Sequence, residues 1–258
     1  MRDELQTLNK ALDALLVLAQ HGGEMKASEM EAELGISRSS LYRIIGTLRN
    51  KNFVEAGPQG TYHFGLSMLS LGLVAGSSHV VDTLAKSIME RVVRETEETV
   101  MLTGLVFPHA MCLARIESPL SIRLSFEVGK LMPLCAGASG KILLGTLSEA
   151  QLRHYIQMAE ERGFLRACRV DAPKLLQQVE TLKRDGYVQS LNEVDDGAFG
   201  IAVPVLDRVG KYRYGLSLAG PAQRLRFEKF LHVLKQAARD LSEALYSSTG
   251  GDRSDAAN

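Results

Sequence analysis

The sequence has no tryptophan, and aromatic residues make up only 6% of its 258 residues. It has seven prolines, and the stretch without charged side chains from 56 to 81 is interrupted by Pro58, Gln59 and His63. A membrane-spanning helix needs about 20 consecutive apolar residues, so no such helix is predicted. With 45% apolar residues, the composition predicts a globular protein with a core, and excludes a fibrous or disordered chain.

Paired cysteines and an excess of either charge are also lacking. Cys112, Cys135 and Cys168 are far apart and form no CxxC motif, so neither a disulfide framework nor a zinc site is predicted. The histidines are scattered, and we predict no metal and no cofactor. The N-terminal MRDELQ is too acidic for a signal peptide, which together with the unpaired cysteines favours a cytoplasmic protein. Because basic and acidic residues number 30 each, any binding of nucleic acid must depend on a local surface.

The chain length favours two domains. We predict a DNA-binding domain at 1–65, a linker helix at 66–78, a larger domain at 79–247 and a loose tail at 248–258. In the larger domain, strand patterns lie at 99–107, 109–116, 121–126, 187–191, 199–207 and 212–220. A turn is expected near Val209, and helical patterns lie at 80–97, 139–147, 148–158, 172–185 and from Phe227 to Leu245. The alternation predicts a mixed α/β domain with a mainly antiparallel sheet, and an α+β protein as a whole.

The first 65 residues have the pattern of a winged helix-turn-helix. An amphipathic helix from Leu8 to Ala19 stops at two glycines, and Ser28 with Glu31 predicts a capped second helix at 29–34. Ser37 can cap a third helix. The following "FVEAGPQGTYHFG" has the alternation and the Gly-Pro-Gln-Gly turn of a hairpin.

The third helix has an outward face that is polar and basic, and no acid occurs from Ile36 to Val54. In a helix-turn-helix, the corresponding helix enters the major groove. The residues predicted to contact DNA are Ser28, Arg38, Ser39, Ser40, Tyr42, Arg43, Thr47, Thr61 and His63. The arginines are alternatively part of a solvated face, and the two hairpin residues alternatively touch only the DNA backbone. Residues 1–64 hold seven basic and eight acidic side chains, so we expect two copies to bind one site.

The stretch "CAGASGKILLG", residues 135–145, resembles a phosphate-binding loop but lacks two of its required residues, since Cys135 and Ile142 replace Gly and Ser or Thr. It also matches only half of a nucleophile elbow, because Lys141 replaces the second glycine. Two interpretations remain. The small residues either open a helix whose start binds a small anion, such as a carboxylate, or allow a helix to pack closely on a sheet.

The charged residues near these patterns have simpler interpretations. Lys141 is expected to be solvated or paired with an acid. Glu193, Asp195 and Asp196 are expected to form a solvated turn rather than an acid/base pair.

Several motifs in this order resemble the IclR family of bacterial transcriptional regulators, from about Leu5 to Leu245. They are "MKASEMEAELGISRSSLYRIIGTLRNKNFVEA", "YHFGLSMLSLG", "GKLMPLCAGASGKILL" and "GAFGIAVPVLDRVGKYRYGLSLAGP". The resemblance implies an effector-binding domain related to the GAF and profilin-like sensors. It also implies dimers through the N-terminal domains, and often tetramers through the effector domains.

The resemblance also implies where a small carboxylate would bind. The implied residues are Ala138, Ser139, Gly140, Ser190, Ala198, Gly200, Ser217 and Ala219. The chain departs from the family at three positions, where Cys135 replaces a frequent His, Gly200 a frequent Cys, and Ala219 one of two hydroxyl residues. These departures remove polar groups, and so favour a larger or more apolar acid, aromatic acids included, over one the size of glyoxylate.

We therefore predict a ligand-responsive regulator of catabolic genes that is not an enzyme. It would act as a homodimer or homotetramer on a pseudo-palindromic site in double-stranded DNA, with no membrane partner. One alternative is a ligand-sensing scaffold whose N-terminal unit binds protein. The other is a serine acyl hydrolase acting through Ser139, for which no matching histidine and acid are evident.

Overall fold

The computed structural model describes residues 5–77, 81–124, 126–206 and 210–248. The chain divides into two compact units, residues 1–79 (the first unit) and 80–258 (the second unit). The sequence predictions for several positions lie outside the described residues: Ser78, Val80, Ser125, Asp207, Val209, the side chain of Leu245 and the tail beyond Ser248.

The first unit contains the predicted helices and hairpin. Its helices are α1 (Gln6–Gln20), α2 (Ala27–Leu34), α3 (Arg38–Asn50) and α4 (Leu66–Ser77). Its strands are β1 (Glu24–Lys26), β2 (Val54–Ala56) and β3 (Thr61–Phe64), and they form an antiparallel sheet in the order β1-β3-β2. The winged helix-turn-helix is thus confirmed. Strand β1 was not predicted, because three residues are too few to show an alternation.

The backbone N–H groups at the starts of α2 and α3 find different hydrogen-bond acceptors. The Ser37 hydroxyl accepts a hydrogen bond from the Ser40 N–H at 3.4 Å, which confirms the predicted cap of α3. The prediction that Ser28 caps α2 is wrong, since the helix already begins at Ala27. Strand β1 continues directly into this helix, and the Glu29 carboxylate accepts a hydrogen bond from the Lys26 N–H at 3.0 Å. A carboxylate in the first turn also stabilises the helix, because its negative charge lies near the positive end of the helix dipole.

The second unit is built around one antiparallel sheet. The described helices are α5 (Val81–Thr96), α6 (Gly137–Lys141), α7 (Glu149–Glu161), α8 (Phe164–Ala167), α9 (Ala172–Asp185) and α10 (Phe227–Ser248). The described strands are β4 (Thr99–Val106), β5 (His109–Ile116), β6 (Leu131–Pro133), β7 (Val188–Leu191), β8 (Ala198–Leu206) and β9 (Tyr212–Pro221). Their order in the sheet is β6-β5-β4-β9-β8-β7. The predicted mixed α/β domain with an antiparallel sheet is confirmed.

Helices cover both faces of this sheet. On one face, α10 packs against alternate residues of β8, namely Phe199, Ile201 and Val203, and α5 packs beside it against β4 and β5. On the other face, Ala138 of α6 and Ala202 of β8 belong to the core shared with α7 and α9. A strand covered on both faces buries every side chain, and nearly all of β8 is buried.

Two predictions for the second unit are wrong in detail. Residues 121–124 and 126, the described part of the expected strand 121–126, form no strand. The edge of β5 that does not pair with β4 pairs instead with β6 at residues 109–111, where Met132 lies opposite Ala110.

The helix expected at 139–147 begins earlier, at Gly137, and its α-helical part ends at Lys141. It continues as a 3-10 helix from Ile142 to Thr146. This 3-10 segment packs closely on β9, because a Cβ atom placed on Gly145 would lie 2.4 Å from Cε2 of Tyr212. Gly145 belongs to the stretch 135–145, so close packing accounts for this one of its small residues. No helix in the described ranges is long and apolar enough to cross a membrane.

Candidate functional site

Helix α3 exposes a basic face on a firmly anchored helix. Arg38, Tyr42 and Arg43 are exposed, and the Arg38 guanidinium lies 5.7 Å from the centre of the Tyr42 ring. On the opposite side, Leu41 and Ile45 are buried in the core of the first unit. The buried residues hold the helix in place while the arginines remain available for contact.

The remaining predicted DNA contacts lie on α2, on α3 and on the hairpin. Ser28 is exposed at the start of α2, Ser39 is exposed on α3, and Ser40 is partly buried. The Thr47 hydroxyl donates to the Arg43 carbonyl at 3.0 Å, and the Thr61 hydroxyl donates to the Pro58 carbonyl at 2.9 Å. Nδ1 of His63 lies 3.2 Å from the carbonyl oxygen of Phe64. Thr47 and Thr61 thus already use their hydroxyl hydrogens within the protein, and can only accept a hydrogen bond from a ligand.

A cavity of about 140 Å³ lies in the second unit, between α6 and the sheet. Its wall is mostly apolar. It is lined by Met101, Leu124, Phe126, Met132, Ala136, Gly137, Ala138, Ser139, Ser190, Glu193, Val194, Asp195, Ala198, Phe199, Gly200 and Ala219.

Six of the eight effector residues implied by the sequence line this cavity: Ala138, Ser139, Ser190, Ala198, Gly200 and Ala219. Gly140 and Ser217 are not part of the wall. A Cβ atom on Gly140 would lie 2.7 Å from the Pro133 carbonyl oxygen, so this glycine permits close backbone packing. Ser217 is fully buried behind Ser139.

Hydrogen bonds hold the two cavity serines in place. The Ser139 hydroxyl donates to the Ser217 hydroxyl at 2.8 Å, and the Ser217 hydroxyl donates to the Met101 carbonyl at 3.3 Å. The Ser190 hydroxyl accepts from the Ala138 N–H at 3.0 Å, which leaves its hydrogen able to bond a ligand. Because Ser139 donates to a hydroxyl and not to a base, these contacts do not form a nucleophile–base pair.

A buried ion pair supports the cavity wall. Nζ of Lys141 lies 2.5 Å from Oε2 of Glu193, and the two side chains are only 1% and 4% exposed. The Gln178 side chain of α9 bonds both groups, at 3.0 Å to Lys141 and 3.1 Å to Glu193. Burial lowers the pKa of Lys141, and the Glu193 carboxylate partly opposes this effect. The expectation of a solvated turn is therefore wrong for Glu193, and Lys141 is paired with an acid.

The charges at the cavity wall are acidic. Asp195 lines the cavity and is exposed, and Asp196 is ion-paired with Arg169. Among the lining residues that the structure describes, none is a lysine or an arginine. A carboxylate bound here would therefore depend on hydrogen bonds, and the Ser190 hydroxyl is the side-chain donor with a hydrogen left to offer.

Sequence reasoning missed most of the apolar wall. Met101 lies on a predicted strand, but its position in the cavity wall depends on the strand order. Leu124 and Phe126 were assigned to a strand that does not form. The only local indication that these two residues line a cavity is that they are apolar in a segment rich in polar residues.

Two family models match the chain. The one described as "Bacterial transcriptional regulator IclR C-terminal" covers residues 74–243, and the one described as "IclR helix-turn-helix domain" covers residues 7–58. The HTH-type transcriptional regulator KipR of Bacillus subtilis (strain 168) is 27% identical over 248 residues, which are 95% of this chain and 99% of KipR. The HTH-type transcriptional repressor AllR of Escherichia coli (strain K12) is 28% identical over 244 residues, which are 93% of this chain and 90% of AllR.

Solved structures share the fold. An IclR family transcriptional regulator from Brucella abortus aligns with a TM-score of 0.77 at 18% identity, and the match covers 95% of this chain and 94% of that one. An IclR homolog from Microbacterium hydrocarbonoxydans, crystallised with 4-hydroxybenzoate, aligns with a TM-score of 0.69 at 21% identity. That match covers 93% of this chain and 99% of the homolog.

Proposed function

This chain belongs to the IclR family of bacterial transcriptional regulators, and from that premise we propose that α3 reads operator DNA and that the cavity of the second unit binds the effector. The observation that supports the first part is the exposed, acid-free face of α3, held by the buried Leu41 and Ile45. Arg38 and Arg43 can reach base edges in the major groove, and Ser28, Thr61 and His63 can contact the flanking backbone.

The DNA site would be a pseudo-palindrome bound by two copies of the chain. Two-fold proteins of this class place their recognition helices about 34–36 Å apart, one turn of the double helix. An effector would change DNA affinity by a coupling energy of about 1–3 kcal/mol. As part of this proposal, the protein works in the cytoplasm as a dimer or tetramer, on catabolic genes.

We propose a single-ring aromatic acid as the class of effector. An apolar cavity of about 150 Å³ can hold benzene, and the cavity of about 140 Å³ has a comparable volume. Met101, Leu124 and Phe126 would contact the ring, and the Ser190 hydroxyl would donate to the carboxylate. The homolog crystallised with 4-hydroxybenzoate supports this class.

The serine hydrolase alternative has no supporting contact, because the Ser139 hydroxyl bonds Ser217. The alternative of a protein-binding scaffold is tested by the effect of salt on DNA binding. When basic side chains of a protein neutralise DNA phosphates, the affinity for DNA falls as the salt concentration rises. A salt-dependent preference for particular fragments of genomic DNA would therefore exclude the scaffold.

Replacing Arg43 with alanine is expected to weaken binding to a selected genomic fragment by about 1–3 kcal/mol, if this arginine makes a bidentate contact with a base. The matched control is Arg153→Ala, which removes an arginine that is 70% exposed on α7 of the second unit. Fluorescence anisotropy at a fixed salt concentration measures the DNA affinity of both variants, on the selected fragment and on a random duplex.

The two duplexes separate the possible roles of Arg43. A loss confined to the selected fragment supports base recognition. Equal losses on both duplexes would show a phosphate contact only, and an effect no larger than that of Arg153→Ala would remove Arg43 from the interface.

A further inference from the structure

Two of the three cysteines, far apart in the sequence, meet in the second unit. The sulfur atoms of Cys135 and Cys168 lie 3.4 Å apart. Both thiols are free, and their side chains are 0% and 6% exposed. The third cysteine, Cys112, packs in a separate apolar cluster with Met101 and Ala219.

The two thiols differ in acidity. The contact with Cys168, the Tyr155 hydroxyl and the positive charge of Lys141 lower the pKa of Cys135 to about 7, although burial opposes this. The same contact and burial raise the pKa of Cys168. The Cys135 backbone N–H donates to the Tyr155 hydroxyl at 2.8 Å, so the segment is held beside this ring. An acidic thiol beside a protonated one is the arrangement of a redox-active pair, because the thiolate is the reactive form.

Cys135 adjoins the cavity wall, and Cys168 is connected to it through an ion pair. Cys135 immediately precedes Ala136, which lines the cavity. Cys168 immediately precedes Arg169, whose guanidinium pairs with Asp196, next to the lining residue Asp195. A covalent link between the two cysteines would therefore join the segment that precedes Ala136 to the segment that carries Arg169.

We propose that Cys135 and Cys168 form a reversible oxidation site, at which a hydroperoxide converts the two thiols into a disulfide. The Cys135 thiolate attacks one peroxide oxygen and breaks the O–O bond. The products are a sulfenic acid on Cys135 and the leaving oxygen, which takes up one proton. When the hydroperoxide is hydrogen peroxide, this leaving group becomes one water. The Cys168 thiol then attacks the Cys135 sulfur, forms the S–S bond and releases the second water. In total, two thiols lose two electrons and two protons, and one peroxide is reduced to two waters.

The geometry requires only a local movement. A disulfide bond is about 2.05 Å long, so the sulfur atoms must approach by about 1.4 Å. Peroxide is small enough to reach buried thiols during transient local opening. An effect of the disulfide on effector binding rests on the proposed function, whereas its formation does not.

Peptide mapping of the full chain tests the site without DNA or effector. The reduced, desalted protein is treated with hydrogen peroxide, unfolded in urea to expose the buried thiols, alkylated with N-ethylmaleimide, digested and analysed by mass spectrometry. We expect the Cys135 and Cys168 peptides to be linked, two hydrogen masses lighter than their sum, and Cys112 to be alkylated. Dithiothreitol should reverse the link. Alkylation of both Cys135 and Cys168 after peroxide treatment, or oxidation of Cys135 to a sulfinic acid beside an alkylated Cys168, would overturn the proposal.

Two variants assign the roles. In Cys168→Ala the linked peptide should disappear and Cys135 should proceed to sulfinic acid, because no resolving thiol remains. In the matched control Cys112→Ala the linked peptide should persist at the level of the unaltered protein. A linked peptide that contains Cys112 would contradict the assignment. Neither readout involves DNA. The proposal of an oxidation site can therefore be wrong while the regulatory function is correct, and it can be correct while the regulatory function is wrong.

Discussion

Replacing Lys141 with methionine is expected to lower the free energy of unfolding of the second unit by about 3–5 kcal/mol, because it leaves the Glu193 carboxylate without its buried cation. Both side chains are almost completely buried, so water cannot solvate the remaining charge. The Gln178 amide can still donate one hydrogen bond to it, but it carries no charge. Urea unfolding followed by circular dichroism measures the change, with the slope of the transition compared between variants.

The matched control is Lys174→Met. This lysine also faces Glu193, but its Nζ lies 3.6 Å away and its side chain is 49% exposed. Exposed ion pairs contribute about 0–1 kcal/mol, so this change should have a small effect. Replacing both partners, with Lys141→Met and Glu193→Leu together, should recover most of the loss, because no buried charge remains. If Lys141→Met lowers the free energy of unfolding no more than Lys174→Met does, the ion pair of Lys141 and Glu193 is not buried as described.

Replacing Ala219 with leucine is expected to weaken effector binding at least about 100-fold, equivalent to about 2.7 kcal/mol. Ala219 lies on β9 and lines the cavity, and the larger side chain would fill space that the ligand ring needs. Overpacking costs about 1–3 kcal/mol of stability, so the variant should be compared below its unfolding temperature. Isothermal titration with substituted benzoates, 4-hydroxybenzoate among them, gives the affinity, and DNA binding without ligand should be unchanged.

The same substitution on the opposite face of the sheet is the control. Ala114 is partly buried against the core formed with α5 and α10, so Ala114→Leu tests the effect of a larger side chain away from the cavity. It should leave ligand affinity unchanged. Unaltered affinity in Ala219→Leu would place the ligand elsewhere. Equal binding of benzyl alcohol and benzoate would remove the carboxylate from the proposed effector while keeping the cavity as its site.

The features that the sequence predicted correctly depend on neighbours along the chain. Ser37 caps α3 as predicted, and Ser148 with Gln151 forms a capping box at the start of α7, because each contact spans three residues. Ser28 shows where even this reasoning fails. Lys26 can end a strand and precede a helix at once, and Glu29 then satisfies its N–H group, so Ser28 is not needed as a cap.

The strand expected at 121–126 failed for a different reason. Its alternation of apolar residues is a local property, but a strand forms only where its backbone pairs with a neighbouring strand. On the outer edge of β5, residues 109–111 pair instead with β6, a strand of three residues with no recognisable pattern. Leu124 and Phe126 instead pack beside Met101, where they contribute to the cavity.

The sequence alone determined the winged helix-turn-helix, the mixed α/β domain, the basic face of α3 and the family resemblance, because periodicity, caps and motif order are written along the chain. Only the tertiary structure decided the cavity volume, the pairing of Lys141 with Glu193 and the contact of Cys135 with Cys168. Those partners are 52 and 33 residues apart. They meet because the strand order and the packing of α6, α8 and α9 bring them together, and such packing depends on contacts across the whole core.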